Sequence, residues 1–178
     1  MTADGPISYW NSYVGVTQMG GHGSFSDPRI GLTVAQTPDL VTPKLPALLD
    51  YQLGLQTPKP PKGSFDPVAA ARGRRLFRDD AGCASCHAGP TLTDVLEGGP
   101  GPLLHDPSEV GMEPVYALRS ATKKYRTTPL RGLWQHAPYF HDGSARDLEA
   151  VVEHYNQLLS LNLTAAQKAD LVQYLKSL

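Results

Sequence analysis

The sequence predicts an all-α protein with few helices, long ordered loops and an irregular N-terminal arm. One apolar stripe at helical spacing comprises Leu148, Val151, Val152, Tyr155, Leu158 and Leu159. A second comprises Leu171, Val172, Leu175 and Leu178. Such spacing is typical of helices that bury one face. The 17 glycines and 16 prolines among 178 residues exceed the average combined share of about 12%, so irregular segments should separate the helices.

A proline-rich stretch, Thr57–Gly63, separates an N-terminal arm from a C-terminal domain. Proline lacks a backbone donor and glycine is flexible, so this composition is typical of a linker. We therefore predict an arm with its linker over residues 1–63 and a helical domain over residues 64–178. The arm has little periodicity, apart from a short amphipathic run over Leu45–Leu55.

The C-terminal domain carries clear helix signals at its two ends. Ser64 or Asp66 can cap a helix that Pro67 opens and that runs to Phe77. Thr164 caps the last helix. The segment 88–147 is rich in glycine and proline and fits no long regular element. Ordered loops of this length usually have a function or wrap around something.

Charge and hydropathy exclude several function classes. Lysine and arginine number 16 against 17 acidic residues, whereas nucleic-acid binders and polybasic membrane binders need a clear cationic excess. The longest charge-free stretch, Gly5–Ser26, is interrupted by polar residues and glycines, so we expect no membrane span. The N-terminus has no basic and apolar leader pattern. We therefore expect either a mature or engineered fragment, or a protein that is not exported.

The strongest chemical signal is the pentapeptide Cys83-Ala-Ser-Cys86-His87. A C-x-x-C-H motif is typical of covalent haem attachment, with the two thiols on the haem vinyl groups and the histidine on the iron. Two other interpretations are possible. A thioredoxin-like dithiol requires a βαβ context, and a partial zinc site requires further metal ligands close by. The sequence favours one covalently bound haem c.

Helices flank this motif on both sides. The first carries Gly73 and Phe77 and ends shortly before Cys83, and the last begins after Thr164. A glycine allows a second helix to cross closely, and an aromatic side chain covers the crossing. These features resemble the first and last helices of cytochrome c folds.

The second half carries a longer resemblance. The strings Tyr125–Arg131, Ala137–Ser144 and Leu148–Val152 resemble the C-terminal haem domain of the bacterial di-haem cytochrome c peroxidase and MauG superfamily. The resemblance covers about residues 66–178. That family carries two C-x-x-C-H motifs and this chain has one, so the peroxidatic half is missing or lies on another polypeptide.

The resemblance also suggests the second axial iron ligand. By its spacing from His141, Tyr155 falls where the peroxidases have an axial methionine and where MauG has a tyrosine. The alternative role for Tyr155 is a core tyrosine with a satisfied hydroxyl. Met112 is the competing ligand, although gap filling in an ordinary core is the simpler role for it, and Met19 is a distant third. His154 faces about 100° away from Tyr155 on the same helix, so we expect it to be solvent-exposed.

Basic residues cluster before His141. Haem propionates need donors, and the arginine fork suits carboxylates, so we assign Arg126 and Arg131, which lie within the family string, to this role. Lys123 and Lys124 fit a solvated face or a docking patch for an acidic partner. In the family the histidine at position 141 lies close to the haem, although a turn at Asp142 explains this segment equally well.

The resemblance implies electron transfer from a small redox protein to a reactive haem in a second domain. Alternatives are a stand-alone haem peroxidase or oxygen-activating enzyme with an open sixth site, and a haem redox or gas sensor. The sequence singles out no catalytic acid or base. An enzymatic role would be that of a peroxidase-like oxidoreductase needing a second haem domain. Because covalent haem is attached after export in the systems this chain resembles, we expect a periplasmic or other extracytoplasmic location.

Overall fold

A computed structural model describes residues 5–95 and 104–178. The chain divides into two compact units, Met1–Gln56 and Thr57–Leu178. Helices predominate in both units, and two short antiparallel strand pairs accompany them. The sequence did not predict these strands.

The first unit is more regular than the sequence suggests. Helix α1, Gly5–Tyr13, continues into a π-helical turn over Val14–Gln18. Strands β1, Phe25–Asp27, and β2, Leu32–Val34, form an antiparallel pair. Helix α2, Leu45–Gly54, confirms the predicted helical run, but it has no buried residue, and Leu48 and Leu53 are exposed.

Aromatic packing explains why the first unit holds a helix without an apolar stripe. The ring of Tyr13 lies 5.3 Å from Phe25 and 6.2 Å from Tyr9. The Tyr9 hydroxyl donates a 2.7 Å hydrogen bond to Asp27, which also accepts from the Arg29 guanidinium. These contacts join α1 to the strand pair and supply the order that local periodicity lacks.

The second unit contains the helices predicted at its two ends. Helix α3 spans Pro67–Arg78, α4 Val115–Leu118, α5 Leu148–Leu158 and α6 Ala165–Lys176. The Asp66 carboxylate caps α3 by accepting from two backbone N–H groups. A capping box between Thr164 and Gln167 opens α6. Both helix starts agree with the sequence prediction.

The core of this unit forms where α3 crosses α6. A Cβ added at Gly73 would overlap the carbonyl oxygen of Asp170, so only glycine permits this approach. The rings of Phe77 and Tyr174 meet edge to face at 5.2 Å beside the crossing. The buried cluster comprises Leu76, Phe77, Ala81, Leu148, Val152, Leu171, Val172, Tyr174 and Leu175. The close crossing and its aromatic cover confirm the expectation from the sequence.

The segment between α3 and α5 has little regular structure in its described part. Besides α4 and single 3₁₀ turns, its described residues form the paired strands β3, Leu104–His105, and β4, Tyr125–Arg126. An isolated β-bridge joins Tyr139 to Ala145. The prediction of no long element over 88–147 therefore holds for the described residues, while 96–103 lie outside them. Among the helices of the described ranges, none has the length and apolar character needed to cross a bilayer.

Candidate haem-binding site

The Cys83–His87 segment forms a tight turn directly after α3. The amide of Ala81 donates to the carbonyl of Leu76, and Gly82 adopts a left-handed conformation at φ 62°. A single 3₁₀ turn then covers Cys83–Ser85, and the His87 amide donates to the Cys83 carbonyl at 3.0 Å. Both thiols are free and half-buried, and Cys83 packs against the core cluster.

The pKa of the Cys83 thiol tests the interpretation of the motif as a thioredoxin-like dithiol. Burial raises the pKa of this thiol to about 11. Redox-active C-x-x-C pairs instead have a lowered pKa, because the thiolate is the reactive form. The environment of Cys83 therefore does not favour a thioredoxin-like function.

The His87 ring is oriented by the backbone that follows it. Its Nδ1 lies 3.0 Å from the carbonyl oxygen of Leu92, so Nδ1 carries the proton and donates. This leaves Nε2 with a lone pair for a metal, which is the usual arrangement of ligating histidines. Burial also lowers the pKa of the imidazole, so the neutral, ligating form is favoured.

Tyr155 lies on α5, half-buried and close to the Cys83–His87 segment, which is called the attachment turn below. Burial raises the pKa of its hydroxyl to about 12, and the nearby thiols of Cys83 and Cys86 act in the same direction. The Phe140 ring contacts the Tyr155 ring edge to face at 6.0 Å. Burial and the nearby thiols are compatible with both roles considered for this residue, an iron ligand and a core tyrosine.

His154 is not the solvent-exposed residue that helix geometry alone suggests. It is half-buried, its ring lies 4.8 Å from that of Phe140, and its Nε2 lies 3.1 Å from the Val110 carbonyl oxygen. A Cβ at Gly111 would approach this Nε2 to 2.9 Å. The expectation was wrong because the long loop folds back onto that face of α5.

Met112 lies in a loop that is held at several points. Its own amide donates to the carbonyl of Pro107 at 2.8 Å. The hydroxyl of Tyr125 donates to the carbonyl of Glu113 at 2.6 Å. Met112 is half-buried and stays a candidate ligand, whereas Met19 is 78% exposed.

His141 contacts the same tyrosine. Its Nε2 lies 2.8 Å from the Tyr125 hydroxyl, and the two rings lie 4.5 Å apart. The following Asp142 carboxylate accepts from the amide of Ser144 at 3.0 Å. The predicted turn at Asp142 is therefore present, and the position of His141 close to a haem stays a prediction.

Arg126 and Arg131, the two arginines predicted to bind the haem propionates, lie in different surroundings. Arg131 donates from Nε, at 3.2 Å, and from Nη2 to the Pro90 carbonyl, and so ties its segment to the loop after His87. Arg126 lies exposed in β4, opposite Leu104. The predicted docking residue Lys124 forms an exposed ion pair with Asp106 at 2.9 Å.

The indole N–H of Trp134 is a buried polar group that the sequence did not point to. Among the described residues, its indole Nε1 is buried without a hydrogen-bond partner. The preceding residue, Leu133, packs against the cluster that also contacts Cys83. A buried donor of this kind fits a carboxylate-bearing group such as haem, because an unpaired buried N–H is costly. Nothing local in the sequence distinguishes this tryptophan from a core residue.

Comparisons with known proteins identify relatives of this chain. A family model described as RoxA-like, cytochrome c-like matches residues 124–157. The chain is 32% identical over 128 residues to the methylamine utilization protein MauG of Methylorubrum extorquens, covering 61% of this chain and 34% of that protein. It is 31% identical over 143 residues to the cytochrome-c peroxidase IdrP2 of a Pseudomonas species, covering 61% of this chain and 39% of that protein. The chain therefore spans well under half the length of these relatives.

The fold is also similar to a solved structure. A crystal structure of a MauG-like protein associated with microbial copper homeostasis superposes with a TM-score of 0.57 at 23% identity. The match covers 75% of this chain and 55% of that one. Together the comparisons indicate a haem-based oxidoreductase domain with haem c as its cofactor.

Proposed function

This chain contains a c-type cytochrome domain that resembles the C-terminal haem domain of the di-haem cytochrome c peroxidase and MauG superfamily, and we propose that it relays electrons. In this role it accepts electrons from a small redox protein and passes them to a reactive haem in a second domain. The observation that carries the proposal is the Cys83–His87 turn, where two free thiols precede a histidine with Nε2 available.

Each residue of the turn has a separate task. Cys83 and Cys86 form the thioether links, and His87 supplies the proximal nitrogen. The haem, when bound, supplies one-electron redox chemistry. The carbonyl of Leu92 holds the imidazole by its Nδ1–H, so the ring cannot rotate away from the iron position.

Tyr155 is our proposed second axial ligand. In the absence of a metal its phenol stays protonated, because burial holds its pKa at about 12. Coordination to ferric iron would lower this pKa, because the positive charge of the metal favours the phenolate, and the proton would pass to solvent. A phenolate ligand stabilises the ferric state, whereas a methionine such as Met112 raises the potential, so the choice between them sets the driving force for the relay.

The propionates need donors from the surrounding loops. We assign this role to Trp134, whose buried indole N–H has no partner among the described residues, together with Arg126 and Arg131. Arg131 uses Nε and one terminal nitrogen on Pro90 and keeps N–H groups on its other terminal nitrogen. His141, held by Tyr125, belongs to the outer surroundings of the haem.

The second haem belongs to another domain or polypeptide. This chain carries one C-x-x-C-H motif and spans about two fifths or less of its curated relatives. We place the protein in the periplasm or another extracytoplasmic compartment, where covalent haem is attached in the systems it resembles.

The first experiment measures covalent haem. The chain is produced together with a haem-attachment system and assayed as a pyridine haemochrome. The double variant Cys83→Ala, Cys86→Ala should lose the covalent c-type spectrum, and Ser85→Ala, within the same turn, should keep it. Unchanged haem content and fold in the double variant would show that this proposal is wrong.

A second candidate function is peroxidase activity in its own right, favoured by the similarity to proteins named cytochrome-c peroxidases. It requires an open or exchangeable sixth position on the iron. Cyanide separates the two candidates, because a strong endogenous ligand resists its binding. Rapid cyanide binding by the ferric protein favours the peroxidase or a sensor, and resistance favours the relay.

A further inference from the structure

A buried carboxylate–imidazole pair lies beside the second thiol of the attachment turn. The Asp94 Oδ2 lies 2.8 Å from the His105 Nε2. Their side chains are only 6% and 12% exposed. Nothing in the proposed electron relay uses this pair, so its burial so close to the turn needs a separate explanation.

A second carboxylate orients the imidazole from behind. His105 Nδ1 lies 2.9 Å from the Glu109 carboxylate, four residues later. Metal-binding histidines typically donate their other ring N–H to such a carboxylate, which fixes the ring orientation and makes the ligating nitrogen more basic. Glu109 therefore directs Nε2 of His105 toward Asp94.

The third donor is the thiol of Cys86. One ligand atom each from Cys86, Asp94 and His105 lie within 4.8 Å of one another. Among the described residues, Oδ1 of Asp94 is also buried without a hydrogen-bond partner. A buried carboxylate oxygen is costly when unpaired, and a cation would satisfy it.

We propose that the haem-free chain binds Zn²⁺ through Cys86, Asp94 and His105. Sulfur, nitrogen and carboxylate oxygen are the donors that zinc takes in proteins, and three protein ligands leave a fourth position for water. Binding would release the Cys86 thiol proton and any proton shared by His105 Nε2 and Asp94, because zinc ligands bind in their deprotonated form.

Zinc binding and haem attachment then exclude each other at Cys86. A thioether has no thiolate to offer the metal, so attachment of haem destroys the site. This exclusion rests on the proposed haem attachment, whereas the zinc site itself does not. Zinc would thus occupy only the precursor and would protect one of its two thiols until haem arrives.

The test uses the full chain, produced without a haem-attachment system and kept reduced. Zn²⁺ affinity is measured by competition with a chromophoric chelator, and Co²⁺ serves as a spectroscopic probe for thiolate coordination. The variants Cys86→Ser, Asp94→Asn and His105→Gln should each weaken binding at least tenfold. Glu109→Gln should weaken it about 10–100-fold, the usual effect of losing an outer-shell partner.

Two matched controls make the result specific. Cys83→Ser removes the other thiol of the motif and His154→Gln removes another half-buried histidine, and both should leave the affinity unchanged. Circular dichroism of every variant, with and without Zn²⁺, reports whether the fold is retained. An equal loss in Cys83→Ser and Cys86→Ser, with no effect of Asp94→Asn, would mean a simple dithiol site and would overturn the proposal.

The haem-loaded protein distinguishes this proposal from the proposed relay. Zn²⁺ binding should disappear once pyridine haemochrome shows complete attachment. Persistent binding that still depends on Asp94 would overturn the exclusion. If no covalent haem forms at all, the relay fails while the zinc titration of the haem-free chain stands, and absence of zinc binding there would overturn the site alone.

Discussion

The hydroxyl of Thr93 donates a buried 2.7 Å hydrogen bond to the carbonyl oxygen of Thr127. The two residues are 5% and 8% exposed and lie in different parts of the long loop region. This bond joins the loop after His87 to the Tyr125–Arg131 string. The carbonyl of Leu92 that orients His87 immediately precedes Thr93, so the bond also supports the proposed iron ligand.

Replacing this hydroxyl should loosen the loop. Thr93→Val keeps the shape of the side chain but leaves the Thr127 carbonyl buried and unpaired, which typically costs about 1–3 kcal/mol. Urea unfolding should show this loss of stability. The control is Thr122→Val, where the hydroxyl is exposed and its contact with Ser120 is 3.3 Å; an equal loss there would contradict the role of Thr93.

A second prediction concerns the close crossing of α3 and α6. Gly73→Ala places a methyl group against the Asp170 carbonyl, and overpacking of this kind typically costs about 1–3 kcal/mol. The free energy of unfolding should fall accordingly. Gly54→Ala at the end of α2 is the matched change, because its new methyl group meets no described atom within 4 Å. A Gly73 variant as stable as wild type would show that the helices can separate.

The pair of Arg72 and Asp170 predicts a pH dependence. The guanidinium donates two hydrogen bonds of 2.7 and 2.6 Å to the carboxylate and lowers its pKa below the ordinary value of 3.8. The stabilisation is therefore present above pH 3.8 and is lost as the pH falls through the lower, folded-state pKa. Since Arg72 is 52% exposed, solvent screens this ion pair and we expect its contribution to the free energy of unfolding to be small.

Unfolding of wild type and Asp170→Asn measures this contribution. The difference in stability should be present near neutral pH and should shrink in acid. In an Arg72→Met background the same Asp170→Asn change should have no pH-dependent effect. A difference that persists in acid, or in that background, would assign the effect to packing and not to charge.

The axial ligand can be identified from optical spectra. In the haem-loaded protein, Tyr155→Phe should change the ferric optical and EPR spectra, because the variant cannot supply a phenolate. Met112→Leu should leave both spectra unchanged. The opposite pattern, together with a near-infrared sulfur-to-iron band in wild type, would make the domain a His/Met cytochrome.

Trp134 should influence the reduction potential. Loss of its indole N–H in Trp134→Phe leaves a propionate charge less compensated, which favours ferric iron, so the midpoint potential should fall at unchanged haem content. Trp10→Phe, in the first unit, is the control and should have no effect. Equal potentials in wild type and Trp134→Phe would remove this residue from the propionate surroundings.

Local signals sufficed for the long helices α3, α5 and α6 of the second unit, whereas the short helix α4 was not predicted. A cap residue, a proline at the first turn and an apolar stripe are all short-range features, so Asp66 and Thr164 marked the helix starts correctly. Helix α1 escaped detection because its order comes from aromatic contacts with residues more than ten positions away, such as Tyr13 with Phe25.

In the candidate site too, local features could be predicted from the sequence and long-range contacts could not. The attachment turn is a local motif and could be read directly from Cys83–His87. The pairing of Asp94 with His105, the buried indole of Trp134 and the contact of His154 with Val110 all depend on how the long loop folds back. No periodicity encodes that path, so these residues emerge only from the three-dimensional arrangement.

The crossing of α3 and α6 has a consequence for biogenesis. Arg72 and Asp170 are 98 positions apart, and the attachment turn lies on the stretch of chain between them. Because distant contacts form only after their connecting chain is complete, an emerging polypeptide presents both thiols before α6 is available to close the unit. A haem-attachment enzyme of the kind our proposal requires would meet both thiols in this interval, and formation of the contact between α3 and α6 would end it.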